Sequence, residues 1–306
     1  MKKESLKIIS DCDGLSIEAV VFAPEDKEEI RGVVQISHGM AEHKERYYPL
    51  LEFLAEEGFA SVINDHRGHG QSVRSKEDWG YFFDDTAEFV VEDLHRITCH
   101  IKENFPEKPI CLFGHSMGSL IVRKYIKKYD KDIDKLVVCG SPSKNPMVGA
   151  ALFLVKLQTL FKGDRYRSHL IQNLAFGNYN NNIENPISDN SWLSADEENV
   201  KAYDRDEACG FVFTLNGFKN LFTLMKQVYS SDGWKLGNKK LPIMFIAGAD
   251  DPVIVNEKSW RESMNFLETV GYENVTGKLY KGLRHEILNE AEAAAVYEDI
   301  LTFIKK

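Results

Sequence analysis

Through the first 140 residues, short runs rich in Val, Ile and Phe alternate with stretches of helical spacing. The runs at 17–22, 32–37, 59–64, 110–113 and 135–140 read as strands. Between them, 47–57 sets Leu50, Leu51, Phe53 and Leu54 at helical spacing, and 89–104 and 117–129 read as helices. Such alternation predicts βαβ units, hence a mainly parallel sheet with helices on both faces. The rhythm breaks after Ser141-Pro142. It returns with a strand at 241–247, a helix at 256–270, a strand at 276–280 and a last helix at 288–306. The stretch between lacks βαβ spacing and reads as helices and loops. The expected architecture is one α/β core, 1–142 with 236–306, carrying a helical cap insertion at 143–235.

Composition narrows the function classes. A chain of 306 residues is long enough to bury about 75% of its unfolded surface. Lys and Arg number 38 against 47 Asp and Glu, a net charge of −9, with no long basic run. That balance argues against nucleic acid as a partner. Five cysteines stand singly, which fits neither a disulfide framework nor a zinc ribbon. Behind Met1-Lys2-Lys3-Glu4-Ser5 there is no apolar stretch of the kind a signal peptide carries. No run reaches the ~18–20 apolar residues of a membrane span. The expectation is a soluble, cytoplasmic protein.

Gly114-His115-Ser116-Met117-Gly118 fits G-x-S-x-G and stands where a strand ends and a helix begins. A serine on so sharp a turn projects its hydroxyl above the sheet edge, and flanking glycines let neighbouring backbone approach. The helix N-terminus offers an N–H to a developing anion. Ser116 is therefore the expected nucleophile, and it needs a base and an orienting acid. His285 follows the last strand and precedes the last helix, on a loop that reaches the sheet edge of Ser116. His95 and His100 fall within a helix, and His115 is expected to point away from the site. His66 and His69 lack the spacing of a metal pair, so no metal is expected. The acid falls in Gly248-Ala249-Asp250-Asp251-Pro252, on Asp250 or Asp251; in G-x-x-D it is the third residue past glycine, so Asp251 is the expected acid and Asp250 is expected to face solvent or cap the following turn. Oxyanion donors are expected from the backbone N–H groups of Met117 and Met40, the latter in His38-Gly39-Met40-Ala41-Glu42-His43.

Together these segments resemble the α/β-hydrolase superfamily, and more narrowly its bacterial lysophospholipase and monoacylglycerol-lipase-like branch. The resemblance rests on His38 to His43 with Arg46-Tyr47, on Asp65-His66-Arg67-Gly68-His69-Gly70-Gln71-Ser72, on the Ser116 motif and on the Asp251 and His285 segments. Asn190-Ser191-Trp192-Leu193-Ser194-Ala195-Asp196, Tyr203 and Ala208-Cys209-Gly210-Phe211 are similar to the cap of bacterial members. One departure is Ala41, where monoacylglycerol lipases commonly carry glycine. The resemblance implies a serine esterase acting on a single-chain acyl ester, a small molecule, through an acyl-enzyme, with no cofactor. Phe153, Phe211 and Phe213 are candidates for the acyl pocket. Fourteen residues from Val148 to Phe161 carry one charge and are expected to form a lid or packed cap helix, with transient contact to a lipid surface as one use. Rivals on the same fold are a generic carboxylesterase, an acyltransferase and a proline-type aminopeptidase. The peptidases usually show H-G-G-P-G where this chain has His38-Gly39-Met40-Ala41. The rival of another class is a catalytically silent ligand-binding protein.

Overall fold

The alternating runs assemble into one eight-stranded sheet. In the computed structural model, which describes residues 1–306, the strands are β1 (Lys2–Ile9), β2 (Ser16–Ala23), β3 (Gly32–Ser37), β4 (Phe59–Asn64), β5 (Ile110–His115), β6 (Lys135–Cys139), β7 (Ile243–Gly248) and β8 (Val275–Tyr280). Their order in space is β1-β2-β4-β3-β5-β6-β7-β8. The β1–β2 and β2–β4 pairings are antiparallel, and every pairing from β4 to β8 is parallel. The central strands β3, β4 and β5 bury every residue, because helices cover both of their faces.

The helices are α1 (Tyr48–Glu56), α2 (Phe89–Asn104), α3 (Met117–Tyr129), α4 (Val148–Lys162), α5 (His169–Phe176), α6 (Glu197–Arg205), α7 (Leu215–Gln227), α8 (Glu257–Val270) and α9 (Ala293–Lys305). Leu50, Leu51 and Leu54 of α1 and Val296, Ile300 and Ile304 of α9 pack with Val34, Ile36, Phe113 and Ile246 on one face of the sheet. Leu94 of α2, Leu120 and Ile121 of α3 and Trp260 of α8 pack with Val33, Leu112, Val138 and Phe245 on the other. Helices α4 to α7 all lie between β6 and β7. None of the nine helices is long and apolar enough to cross a membrane.

Two expectations differ from the structure. The edge strand β1 was not expected, because six of its eight residues are exposed and its sequence is mostly polar. It is held instead by full antiparallel register with β2, from Lys2↔Ala23 to Ile9↔Ser16. The last helix begins at Ala293 rather than near 288. Residues before it are diverted to a turn, in which the Glu290 carboxylate accepts the N–H groups of Arg284 and Ala195 at 3.0 and 2.9 Å.

Parallel register levels the strand ends. Ser37 lies beside Gly114, His115 beside Cys139, and Gly248 beside Tyr280. The loops after β3, β5, β6, β7 and β8 therefore meet at one edge, where open parallel sheets place ligands.

Beneath that edge, His38, His66 and His69 form a buried cluster, with His38 ring centroids 4.3 Å from His66 and 5.2 Å from His69. His38 Nε2 accepts the His66 N–H at 2.9 Å, so His38 is neutral with its proton on Nδ1, bonded to Gly39 O at 2.8 Å. Burial disfavours charge on all three rings. It pushes His38 well below the usual value, His66 to about 3 and His69 to about 4. Because the folded values lie below an unfolded value of about 6.5, these rings favour the folded state fully above that pH. Their contribution fades as pH falls from about 6.5 toward 4 and 3. Chemical denaturation followed by circular dichroism should show stability falling through that window, and less steeply in a His66→Asn variant.

Candidate active site

At Ser116 the chain turns from β5 into α3 with φ 51° and ψ −116°, a left-handed conformation rare for a residue with a β-carbon. The flanking glycines explain how the turn is accommodated. A β-carbon on Gly118 would lie 2.0 Å from Ser37 O, and one on Gly114 would lie 2.5 Å from Gly118 O. The first turn of α3 can therefore press directly against β3 and β5. Ser116 N–H is bonded to Cys139 O at 2.9 Å, which ties the turn to β6.

Across the same edge, His285 Nδ1 lies 2.9 Å from Asp251 Oδ2, with both side chains almost wholly buried. The carboxylate only accepts, so Nδ1 carries a proton, and it is Nε2 that is left to serve as a base. Asp251 Oδ1 accepts Val253 N–H at 2.8 Å, which orients the carboxylate. Asp250 is exposed to solvent, and the carboxylate paired with His285 is that of Asp251. Ser116 and His285 line one cavity of about 830 Å³, together with Gly39, Met40 and Met117. The Met40 N–H has no partner within the protein. The Met117 N–H belongs to the first turn of α3, where no intrahelical acceptor exists. The edge thus presents a hydroxyl, an imidazole with a free nitrogen and two unengaged N–H groups around one space, the parts that acyl transfer uses.

Of the three candidate pocket phenylalanines, only Phe211 lines the cavity. Phe153 is 68% exposed on the outer side of α4, because the inner side of that helix is taken by Val148, Ala151 and Leu154. Phe213 is fully buried against His69, Phe82 and Phe218, within the core rather than at the cavity. His115 does not point away from the site. Its Nε2 lies 3.2 Å from His285 O, and its ring centroid lies 4.7 Å from that of His285. Sequence reasoning also missed Trp192, whose ring centroid is 5.0 Å from His285, and Tyr179 packed on it at 4.8 Å. A Trp in a polar loop between two short helical stretches was the available signal.

One group of three metal-type donors exists, His43, Asp206 and Cys209. His43 Nδ1 accepts Glu45 N–H at 3.3 Å, so its proton sits on Nε2 and is donated to Asp206 Oδ2 at 2.9 Å. Burial raises the Cys209 thiol, which stays protonated. The group is wired as a hydrogen-bonded clasp between the loop after β3 and the loop after α6.

A model of the serine aminopeptidase S33 family of hydrolases matches residues 28–292. The chain belongs to this family. It is 28% identical over 291 residues to a monoacylglycerol lipase of Mycolicibacterium smegmatis, covering 95% of this chain and 93% of that protein. A monoglyceride lipase of Rattus norvegicus is 23% identical, over 85% of this chain and 77% of its own. Among solved structures, a thermostable carboxyl esterase of Bacillus coagulans in complex with glycerol superposes with a TM-score of 0.91 at 28% identity, covering 100% of this chain and 98% of that one. The architecture is that of an α/β-hydrolase, and this S33 member is a hydrolase.

Asp251→Asn removes the charge that holds the His285 tautomer and should lower kcat by about 10⁴-fold. Asp250→Asn should leave kcat unchanged, and steady-state kinetics on a p-nitrophenyl ester compares the two. The reverse ranking would move the acid to Asp250.

Proposed function

We propose that the protein is a serine esterase that cleaves single-chain acyl esters, with monoacylglycerols as its preferred class. In this reading Ser116 attacks the ester carbonyl while His285 Nε2 takes its proton, and Asp251 holds the imidazole. The N–H groups of Met40 and Met117 receive the oxyanion. Water then releases the acid, with His285 reused as the base. Residues 143–235 act as the cap that roofs the cavity, and 1–142 with 236–306 act as the core.

The observation that carries the reading is the cavity lining. From Ser116 it runs under α4, α5 and α7 along Val148, Ala151, Leu154, Ile171, Leu221, Phe222 and Met225, an apolar path for an acyl chain. Its polar lining is rich in amides, among them Asn145, Gln172, Asn173, Asn178, Asn180 and Asn190, neutral donors and acceptors suited to hydroxyl groups. No lysine or arginine lines it, so no flexible cationic side chain is there to meet a phosphate. That favours a polyol head group over a lysophospholipid. It agrees with the glycerol held by the Bacillus esterase. An aminopeptidase needs a free carboxylate for the substrate ammonium. Of the three carboxylates that line the cavity, Glu42 and Glu286 are already engaged by His115 and Arg46, and Asp189 is exposed to solvent, where an ammonium gains little from it.

The outer face of the cap supports contact with a lipid surface. Phe153, Leu157, Leu160, Phe161, Leu170 and Leu174 are exposed there, and Leu174 also lines the cavity. The same stretch carries Lys144, Lys156, Lys162, Arg165 and Arg167, with Asp164 the one acidic residue between 144 and 174, in a chain of net charge −9. Such a face suits an anionic lipid surface near the mouth through which an acyl chain would enter. The five unpaired cysteines fit a reducing compartment such as the cytoplasm.

Monoacylglycerols should be hydrolysed with higher kcat/KM than lysophospholipids or amino-acid amides of matched chain length. Ser116→Ala should lose about 10⁶ in kcat on all of them. Preference for a lysophospholipid would reverse the head-group assignment. A double variant Leu160→Glu, Phe161→Glu should keep its rate on soluble p-nitrophenyl butyrate and lose binding to vesicles containing phosphatidylglycerol in a flotation assay. Unchanged flotation would remove the cap face as the lipid contact.

A further inference from the structure

Resting on Ser116 as the nucleophile, we propose that Glu42 and a protonated His115 form a positioning pair. The pair holds the oxyanion loop, the nucleophile turn and the His285 loop at fixed spacing. None of the expected site roles uses these two buried side chains, yet they lie between all three loops. Glu42 Oε1 accepts the Gly39 N–H at 2.5 Å and the Tyr47 hydroxyl at 2.8 Å, and lies 3.4 Å from His115 Nδ1. The Gly39 bond sets the loop one residue before the Met40 N–H. A β-carbon on Gly39 would meet Glu42 Oε1 at 2.5 Å and Ser116 Cβ at 3.2 Å, so the loop is clamped between the carboxylate and the nucleophile. His115 immediately precedes Ser116, and its Nε2 donates to the carbonyl of His285 at 3.2 Å. Arg46 continues the chain, with Nε 3.3 Å from Glu42 Oε2 and Nη2 bonded to Glu286, the neighbour of His285.

The contacts around His115 favour the doubly protonated ring. Nε2 faces only a carbonyl. Nδ1 faces the Glu42 carboxylate and, at 3.0 Å, the Tyr47 oxygen, whose own proton is given to Glu42. With the Tyr47 proton on the shorter of its two contacts, both ring nitrogens face acceptors and the ring takes two protons. Burial works against charge on His115, but the bond and attraction to Glu42, with Glu286 adding to them, raise it above its ordinary value. Burial likewise opposes charge on Glu42, yet His115, Arg46 and Tyr47 bring its carboxyl down to about 2. The remaining neighbours are the Tyr47 hydroxyl and the Cys139 thiol on β6, both raised by burial and neutral. Arg46 sits on the far side of Glu42. The His285 ring is the one facing group that would oppose the charge, when it takes the Ser116 proton.

Two measurements test the pair. Imidazole ¹⁵N NMR of the intact protein at pH 7 should show both His115 nitrogens protonated. Glu42→Gln keeps an oxygen for Gly39 and Tyr47 but removes the charge. It should lower kcat by about 10–100-fold, below the cost of losing an oxyanion donor outright, with KM unchanged. Its alkaline limb in kcat should move down by about 1–3 pH units, as His115 loses the anion that keeps it protonated. A role in packing alone would leave that limb in place. Tyr47→Phe removes one neutral bond, so it should lower kcat by less than about tenfold with the limb unmoved. A neutral His115 in the wild-type protein overturns the proposal, as does a folded Glu42→Gln protein with wild-type kcat and pH profile. Should Glu42→Gln not fold, the wild-type spectrum and Tyr47→Phe decide. A wild-type protein inactive on every ester would sink the esterase reading instead, and the NMR result separates the two failures.

Discussion

The left-handed turn at Ser116 is the constraint on which the site depends. A residue with a β-carbon takes φ 51° only when its surroundings enforce it. Here the enforcement comes from both ends. Ser116 N–H is bonded to Cys139 O on β6, and Gly118 lets the first turn of α3 touch the main chain of Ser37 on β3. With any side chain at 118 the helix would stand off from the sheet. The Met117 N–H would then be carried away from the loop that presents Met40. One backbone conformation thus places the hydroxyl and one of the two N–H donors at once.

The other parts arrive by topology. Parallel strands deliver their C-terminal loops to a single edge, and the registers between β3, β5, β6, β7 and β8 keep those loops level. Asp251 and His285 come from the loops after β7 and β8, so their 2.9 Å contact is a property of neighbouring strands. Tying separate loops together requires polar links in a water-poor place, where each hydrogen bond is strong and each orphan costly. The Glu42 network supplies those links on the core side. On the other side, Tyr203 and the Gly210 N–H both donate to Ala41 O at 2.9 Å, so the loop that carries Met40 is gripped from both sides.

Much of this was legible in the sequence because it is local. The boundaries of α2 and α3 follow from helical spacing, and the central strands from β-branched runs. The serine turn is recognisable from five residues, since its glycines answer a steric demand within one strand–helix junction. The edge strand β1 was not legible, as Lys2–Ile9 carries little apolar pattern and is held by pairing alone. The pocket phenylalanines were legible only as apolar residues. On α4, with apolar residues on both sides, nothing local says that Leu154 turns inward while Phe153 turns to solvent.

His115 makes the same point at the site. Adjacency to Ser116 suggests a side chain that points away from the chemistry, yet its ring lies 4.7 Å from that of His285. Only the loops arriving from β3 and β8 bring Glu42 and the His285 carbonyl to it. By itself the sequence determined the α/β alternation, the sharp turn at Ser116 and the short choice of partners for it, because these depend on neighbours within a few residues. Tertiary structure decided which aromatic residues face the cavity and how one buried glutamate joins three loops. Those outcomes are contacts between segments far apart in the chain, and side-chain direction there is set by packing that no local pattern encodes.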